Sequence, residues 1–423
     1  MKKSFWYAGS LAVVALLGFT YAIDDKGKNA KLLPVDYVNP FIGASTQAGE
    51  LQMELFPGKT YPGATAPFGL VQVSPNTVDG GDNAPGYSYE HTSIHGFSFA
   101  TMSGTGWYGD LGNFLVMPTT GPMKTLGGRQ GHKGEGWRSE YDKKTEKASA
   151  GYYTVELADY KIKAEMTATP HSGLLRFTFP QNSQSRIQID LARRIGGTSV
   201  LQYVKVVDDH TIQGWMKCTP EGGGWGNGDG KGKYTMYFYA QFSKPLKNFG
   251  IWSADIPDGW VRKRDEVVSD NYIKQVAAAA VLKGLKEKEG KHLGFYTEFD
   301  TKEGEQVLLR SGMSLVSMEG AEKNLKAEIT DWNFDRIHQA TRASWNKELS
   351  KIMVEGGTKD ENTIFYTGLY HTMLDPRDVE DVDGNYTGGD DKVHNSPKFT
   401  KRSIFSGWDV FRSQFPLQTI INP

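Results

Sequence analysis

GYYTVELADYKIKAEMTATP, residues 151–170, and SGLLRFTFP, residues 172–180, alternate apolar and polar side chains. A period of two is the pattern of a half-buried β-strand, because successive side chains point to opposite faces of a sheet. The alternation returns in SRIQIDLA (185–192), YTMYFYAQFS (234–243), HLGFYTEFD (292–300) and EQVLLRSGMSLVS (305–317). Gly, Pro, Asn and Asp punctuate these runs. Short alternating strands separated by turn residues predict a β-sandwich. Upstream, PFIGASTQAG (40–49) and TYPGATAPFGLVQVSPNT (60–77) are rich in Gly, Pro and Thr, and read as loops and short strands.

Past residue 330 the period changes. In DWNFDRIHQATRASWNKELSKIMVEG (331–356), Phe334, Ile337, Ala340, Trp345, Leu349 and Ile352 recur near 3.6 residues. This predicts a helix with Asp331 as N-cap and Gly356 and Gly357 as its end. ENTIFYTGLYHTML (361–374) predicts a second, with Phe365, Leu369 and Met373 on one face and Tyr366 and Tyr370 alongside. SGWDVFR (406–412) predicts a third. Helices after strands imply an α+β multidomain chain. The expected division is a signal peptide at 1–22, a disordered spacer at 23–33, a β-sandwich domain at 34–325, a linker helix at 326–358 and the start of a second domain at 359–423. The closing INP does not read as a terminus, so the chain is expected to break off inside that domain.

The N-terminus carries the export reading. Lys2 and Lys3 precede an apolar stretch from Leu11 to Phe19, and Thr20 and Ala22 are the small residues that cleavage after Ala22 needs. The stretch is short for a membrane span, an uncleaved anchor being the alternative. The body is expected in the periplasm or outside the cell, with no stable membrane span after cleavage. Net charge is -1, which implies neither nucleic acid nor an anionic membrane surface as partner. Cys218 is the one cysteine in the sequence, so no internal disulfide and no Cys-based metal site can form. Aromatics reach 12%, which suits carbohydrate contact without proving it.

FSGWDVFRSQFPLQTIINP (405–423) groups an indole, a carboxylate and a guanidinium as Trp408, Asp409 and Arg412. An indole covers the apolar face of a pyranose, and the charged groups bind its hydroxyls. Two other readings stand beside this. Phe405, Trp408, Phe411, Phe415 and Leu417 also form a stripe of the kind that fills a core, and Asp409 with Arg412 can be a plain i, i+3 ion pair. A second cluster, GYSYEHTSIHGFSFATMSGTGWYGDLGNFLVMP (86–118), mixes Tyr87, Tyr89, Trp107 and Tyr108 with His91, His95, Thr105, Asp110 and Asn113. Its SGTGWYGD lets backbone approach a ligand closely and presents Trp107 and Asp110; the alternative is a glycine-rich sandwich loop with a half-buried Trp. In DVEDVDGNYTGGDDKVH (378–394), Asp381, Asp383 and Asn385 alternate before a Gly turn. They lack the frame of a calcium loop, and read as a solvated Asp-Gly turn or as the rim of a sugar pocket. His371 reads as a helix-surface or interdomain histidine. No nucleophile elbow and no metal-binding His spacing is present.

Seven motifs then occur in order: DYVNPFIGA, TYPGATAPFGLVQVSPNT, GYSYEH with IHGFS, SGTGWYGDLGNFLVMPTTG, FYTGLYHTML, DVDGNYTG and FSGWDVFRSQFPL. Together they resemble glycoside hydrolase family 92, the exo-acting, calcium-dependent α-mannosidases of bacteria, from about Val35 to Pro423. The resemblance implies a β-sandwich, a helical linker and an (α/α)6 barrel whose start alone is present. It implies hydrolysis of terminal mannose from N-glycans or mannan with inversion, by a carboxylic acid and a carboxylate ~6.5–9.5 Å apart. Both are expected beyond Pro423, as are the main Ca2+ ligands, so no catalytic residue and no metal ligand is assigned. Asp409 and Arg412 match positions near the terminal mannose, and Trp107 matches a Trp reaching in from the first domain. Trp408 and Asp110, beside them, complete the expected substrate-binding set. Thr101 stands where many members carry His. No motif sets the linkage; α-1,2 is the expectation. The alternatives are a non-catalytic carbohydrate-binding sandwich, or an inactive fragment. An amidase acting at the glycan–Asn bond has no motif of its own.

Overall fold

The computed structural model describes residues 32–45, 58, 60–78, 85–102, 111–222, 233–257, 270–403 and 407–423. The chain divides into two compact units, Met1–Leu32 and Leu33–Pro423. The expected signal peptide lies outside the described residues, as does the spacer apart from Leu32 and Leu33.

The second unit is built on two large antiparallel sheets. The eight-stranded sheet runs Ala64–Thr65, Gln72–Asn76, Gly96–Ser98, Leu115–Thr120, Asn182–Asp190, Leu293–Thr301, Asn248–Ser253, Ala280–Lys283. The nine-stranded sheet runs Glu287–Gly290, Leu201–Val206, Thr211–Cys218, Tyr234–Phe242, Glu305–Ser314, Ser172–Phe179, Ile162–Ala168, Tyr152–Leu157, Lys147–Ser149. The long alternating runs are all strands, and alternation decides which side chains form the core. In Tyr234–Phe242, Met236, Phe238, Ala240 and Phe242 are fully buried, while Tyr237 and Gln241 between them stay half-exposed. They join Phe97, Phe99, Phe114, Ile187, Phe177 and Phe295 in one continuous core.

Six helices follow or interrupt the strands among the described residues: α1 (Asp270–Ala277), α2 (Met318–Glu328), α3 (Phe334–Leu349), α4 (Lys359–His371), α5 (Gly407–Val410) and α6 (Gln414–Ile421). The sequence reading did not anticipate α2. It lies flat on the nine-stranded sheet, where Ala321 and Leu325 pack with Leu174, Tyr239 and Leu308. Gly312 makes this approach possible, since a Cβ there would stand 2.1 Å from the Ala321 carbonyl oxygen.

Four details of the helix readings are corrected. The cap of α3 is Asn333, whose side chain accepts from the Arg336 amide at 3.0 Å. Asp331 instead accepts from the Asn333 amide, and α3 ends at Leu349 well before Gly356. Thr341 rather than Ala340 is buried, because its hydroxyl donates to the Ala168 carbonyl at 2.7 Å. On α4 and the turn after it the buried face is Tyr366, Leu369, Tyr370 and Met373, with Phe365 left 37% exposed. The cause is packing. That face meets Val35, Val38, Phe68 and Trp345, and the Trp345 indole donates to the Thr65 carbonyl at 2.6 Å.

Candidate functional site

The C-terminal helices are held by a small buried polar framework. The Gln72 amide, fully buried, donates to the Leu374 carbonyl at 2.7 Å and accepts from the Tyr61 hydroxyl at 2.6 Å. Arg377, 1% exposed, grips Asp375 through two parallel bonds of 2.9 and 3.1 Å. Such a bidentate pair fixes direction as well as distance. Gln414 donates to the carbonyls of Thr372 and Asp375, and Gln418 donates to the Thr372 hydroxyl at 2.9 Å. These bonds tie α6 to the end of α4.

The turn of helix before it, α5, projects outward. Trp408 is 79% exposed and Phe411 53%. Asp409 and Arg412 are exposed as well. The Arg412 guanidinium lies 5.2 Å from the Phe411 ring centre, a cation–π contact, and makes no ion pair among the described residues. Within this chain Trp408 and Phe411 stay exposed, whereas Leu417 of the same stripe is partly buried against the cluster around Trp345 and Tyr370. The i, i+3 ion-pair reading fails, because α5 stops at Val410, before Arg412. All three side chains are exposed, and an exposed indole, carboxylate and guanidinium can stack on a ring and bind its hydroxyls. Trp107 and Asp110 lie outside the described residues. Thr101 is fully buried, with its hydroxyl 3.1 Å from that of Ser98.

The acidic segment behaves differently from a solvated turn. Gly384 makes the expected turn at φ +81. Asp381, however, is 2% exposed and accepts from Ser314 at 2.9 Å and Asn324 at 2.8 Å. Asp383 pairs outward with Lys323 at 2.7 Å. The three alternate residues do not converge on one point. Among the described residues no group of three or more His, Cys, Asp or Glu side chains could hold a metal ion. These residues therefore do not fit a calcium site.

Asp378 and His371 carry displaced protonation that the sequence did not signal. Burial pushes the Asp378 carboxyl up to about 6, even with Arg402 at 3.0 Å and Arg402 itself lying over the Phe68 ring. Burial pushes His371 down to about 4, so it is neutral at pH 7, and its Nε2 has no hydrogen-bond partner among the described residues. His371 is thus a largely buried histidine. Burial is a tertiary property, so no residue pattern announced either shift.

The profile of the glycosyl hydrolase family 92 N-terminal domain matches residues 37–314, and that of the family's catalytic domain matches residues 320–423. An uncharacterized secreted glycosidase of Arthroderma benhamiae is 27% identical over 333 residues, which is 76% of this chain and 40% of that protein. A family GH92 alpha-mannosidase of Bacteroides thetaiotaomicron, also solved in complex with mannoimidazole, is 34% identical. It superposes with a TM-score of 0.78, over 92% of this chain and 48% of its own. An inverting mannosidase of the same organism, 23% identical with a TM-score of 0.72, shares the fold. The chain thus spans less than half the length of these relatives.

Proposed function

The chain belongs to glycoside hydrolase family 92, and on that premise we propose that it is the N-terminal part of an exo-acting α-mannosidase. Among the described residues no helix is long and apolar enough to cross a membrane. In the proposed reading the protein is exported to the periplasm or beyond, and removes terminal mannose from N-glycans or mannan, with α-1,2 as the linkage and inversion as the outcome. The segment after Thr358 begins an (α/α)6 barrel. The single observation that carries the site is Trp408, held 79% exposed. The framework that buries Tyr366, Tyr370 and Trp345 leaves this indole outside.

Trp408 supplies the stacking surface for the terminal pyranose. Asp409 accepts from its hydroxyls and Arg412 donates to them, which orients the sugar before reaction. In this reading Trp107 and Asp110 also contact the sugar. The acid and base of an inverting reaction sit ~6.5–9.5 Å apart to admit a water between them and the sugar; in this reading both come from beyond Pro423. Ca2+ belongs to the whole protein, with ligands other than the described residues, and no step is derived through it. Release of mannose from a panel of α-linked mannobioses by the complete protein, with and without a chelator, tests the reading. Mannose from the α-1,2 isomer, lost on chelation, supports it. Binding of mannobiose without any release favours a carbohydrate-binding sandwich.

A further inference from the structure

The outward face of the eight-stranded sheet holds a groove of about 820 Å³, within the range of small-ligand sites. It lies over Asn182–Asp190, Leu293–Thr301, Asn248–Ser253 and Ala280–Lys283, and shares no residue with the α5 site. Strand register composes its floor. Glu298 sits opposite Arg186 on one side and Asn248 on the other, and Tyr296 sits opposite Gly250. Their neighbours Phe295 and Phe299 alternate inward to the core.

The floor is preorganised. Arg186, 1% exposed, donates to Glu298 at 2.6 and 3.0 Å and to the Gly121 carbonyl at 3.1 Å. Gly250 leaves room for the Tyr296 ring, since a Cβ there would stand 2.8 Å from both its Cε1 and its Oη. Tyr296 is only 3% exposed, yet its hydroxyl makes no hydrogen bond among the described residues. The ring is packed against the core while the hydroxyl is open to the groove, where it can donate to or accept from a bound ligand. At the rim, Lys247 and Lys283 have no carboxylate within ion-pair distance among the described residues. The lining therefore sets three cations, Arg186, Lys247 and Lys283, against the single carboxylate of Glu298.

These features select the ligand. A bare small anion would be repelled by Glu298 at the floor. A ligand with hydroxyls can donate to Glu298 and pair with Tyr296, while its own negative groups, set further out, reach the lysines. We propose that this groove is a second, non-catalytic site that binds an acidic oligosaccharide, one bearing carboxylates on its sugar rings. The α5 surface and this groove then hold different parts of a glycan or different glycans.

The test is calorimetric titration of the full chain with trigalacturonate and with neutral mannotriose, at low and at high salt. Trigalacturonate is expected to bind and to weaken as salt rises. Its affinity is expected to fall by about tenfold or more in the exposed double variant Lys247→Ala/Lys283→Ala, and also in Tyr296→Phe, with thermal melting unchanged in the double variant. Affinity equal to the wild type in the double variant overturns the proposal. So does equal displacement of trigalacturonate by inorganic phosphate at matched ionic strength, which would reduce the groove to an anion site. Mannotriose binding that is lost in Tyr296→Phe but not in the double variant would overturn the acidic-ligand assignment.

Discussion

At α5, Asp409 and Arg412 sit on an exposed surface beside an indole that the core did not take up. If Asp409 accepts from mannose hydroxyls, Asp409→Asn in the complete enzyme removes a charged hydrogen bond worth about 1.5–3 kcal/mol, or roughly one to two decades in kcat/KM. Trp408→Ala is expected to raise KM more than it lowers kcat, because it removes stacking area common to ground and transition states. Steady-state kinetics with a mannobiose reads both. A lowered melting temperature with unchanged kcat/KM would instead make Asp409 a structural residue. The residue types at 408, 409 and 412 were legible in the sequence as a sugar-binding group, but two rival readings were equally legible. Residue order does not separate the three, because exposure depends on what packs against α5 and α6; the kinetic test above does.

Among the elements, α2 and α3 show how the helical half is joined to the strands. Glu328 at the end of α2 accepts from the His171 ring at 2.7 Å, the His171 amide at 2.9 Å and the Thr169 hydroxyl at 2.6 Å. Burial alone would lower the His171 value, but its hydrogen bond and charge attraction to Glu328 outweigh burial and raise it above the ordinary range. A histidine raised on folding contributes stability that is complete below its unfolded value of about 6.5 and is lost as pH rises through the higher folded value. Melting temperature is therefore expected to drop across that window, and Glu328→Gln to flatten the drop; an unchanged slope in the variant would refute the linkage. Trp345 of α3 is fully buried, 4.4 Å from Tyr370 between ring centres. Trp345→Ala is expected to cost about 3–5 kcal/mol, read by denaturant unfolding. The helix at 334–349 was legible because its apolar residues recur over four turns. In MEGAEKNLKAE the apolar stripe of α2 is thin, and the close approach at Gly312 that uses it lies outside the helix.

For the whole molecule, the helices are part of the strand unit's packing. Val35, Val38, Phe68 and Ala150 form one cluster with side chains of α3 and α4. A chain shortened at Gly320 loses most of α2 and with it the cover over Leu174, Tyr239 and Leu308. It is expected to melt lower and bind more of a hydrophobic dye than a chain ending after α4; equal melting of the two would show that the sheets need no helical cover. This chain also leaves Met353, Ile364, Trp408, Phe411 and Ile420 exposed, and apolar side chains left in water invite association. By itself the sequence determined the strand-rich body, the later change to helices and the family, because period-two alternation, 3.6-residue recurrence and seven ordered motifs are properties of the chain read locally. Tertiary structure alone decided that Tyr366 and Tyr370 rather than Phe365 face inward, that Asp381 is buried while Asp383 is not, and that Asp378 titrates near 6. Those outcomes depend on which distant segment removes water from a side chain, and the order of residues along the chain does not carry that information.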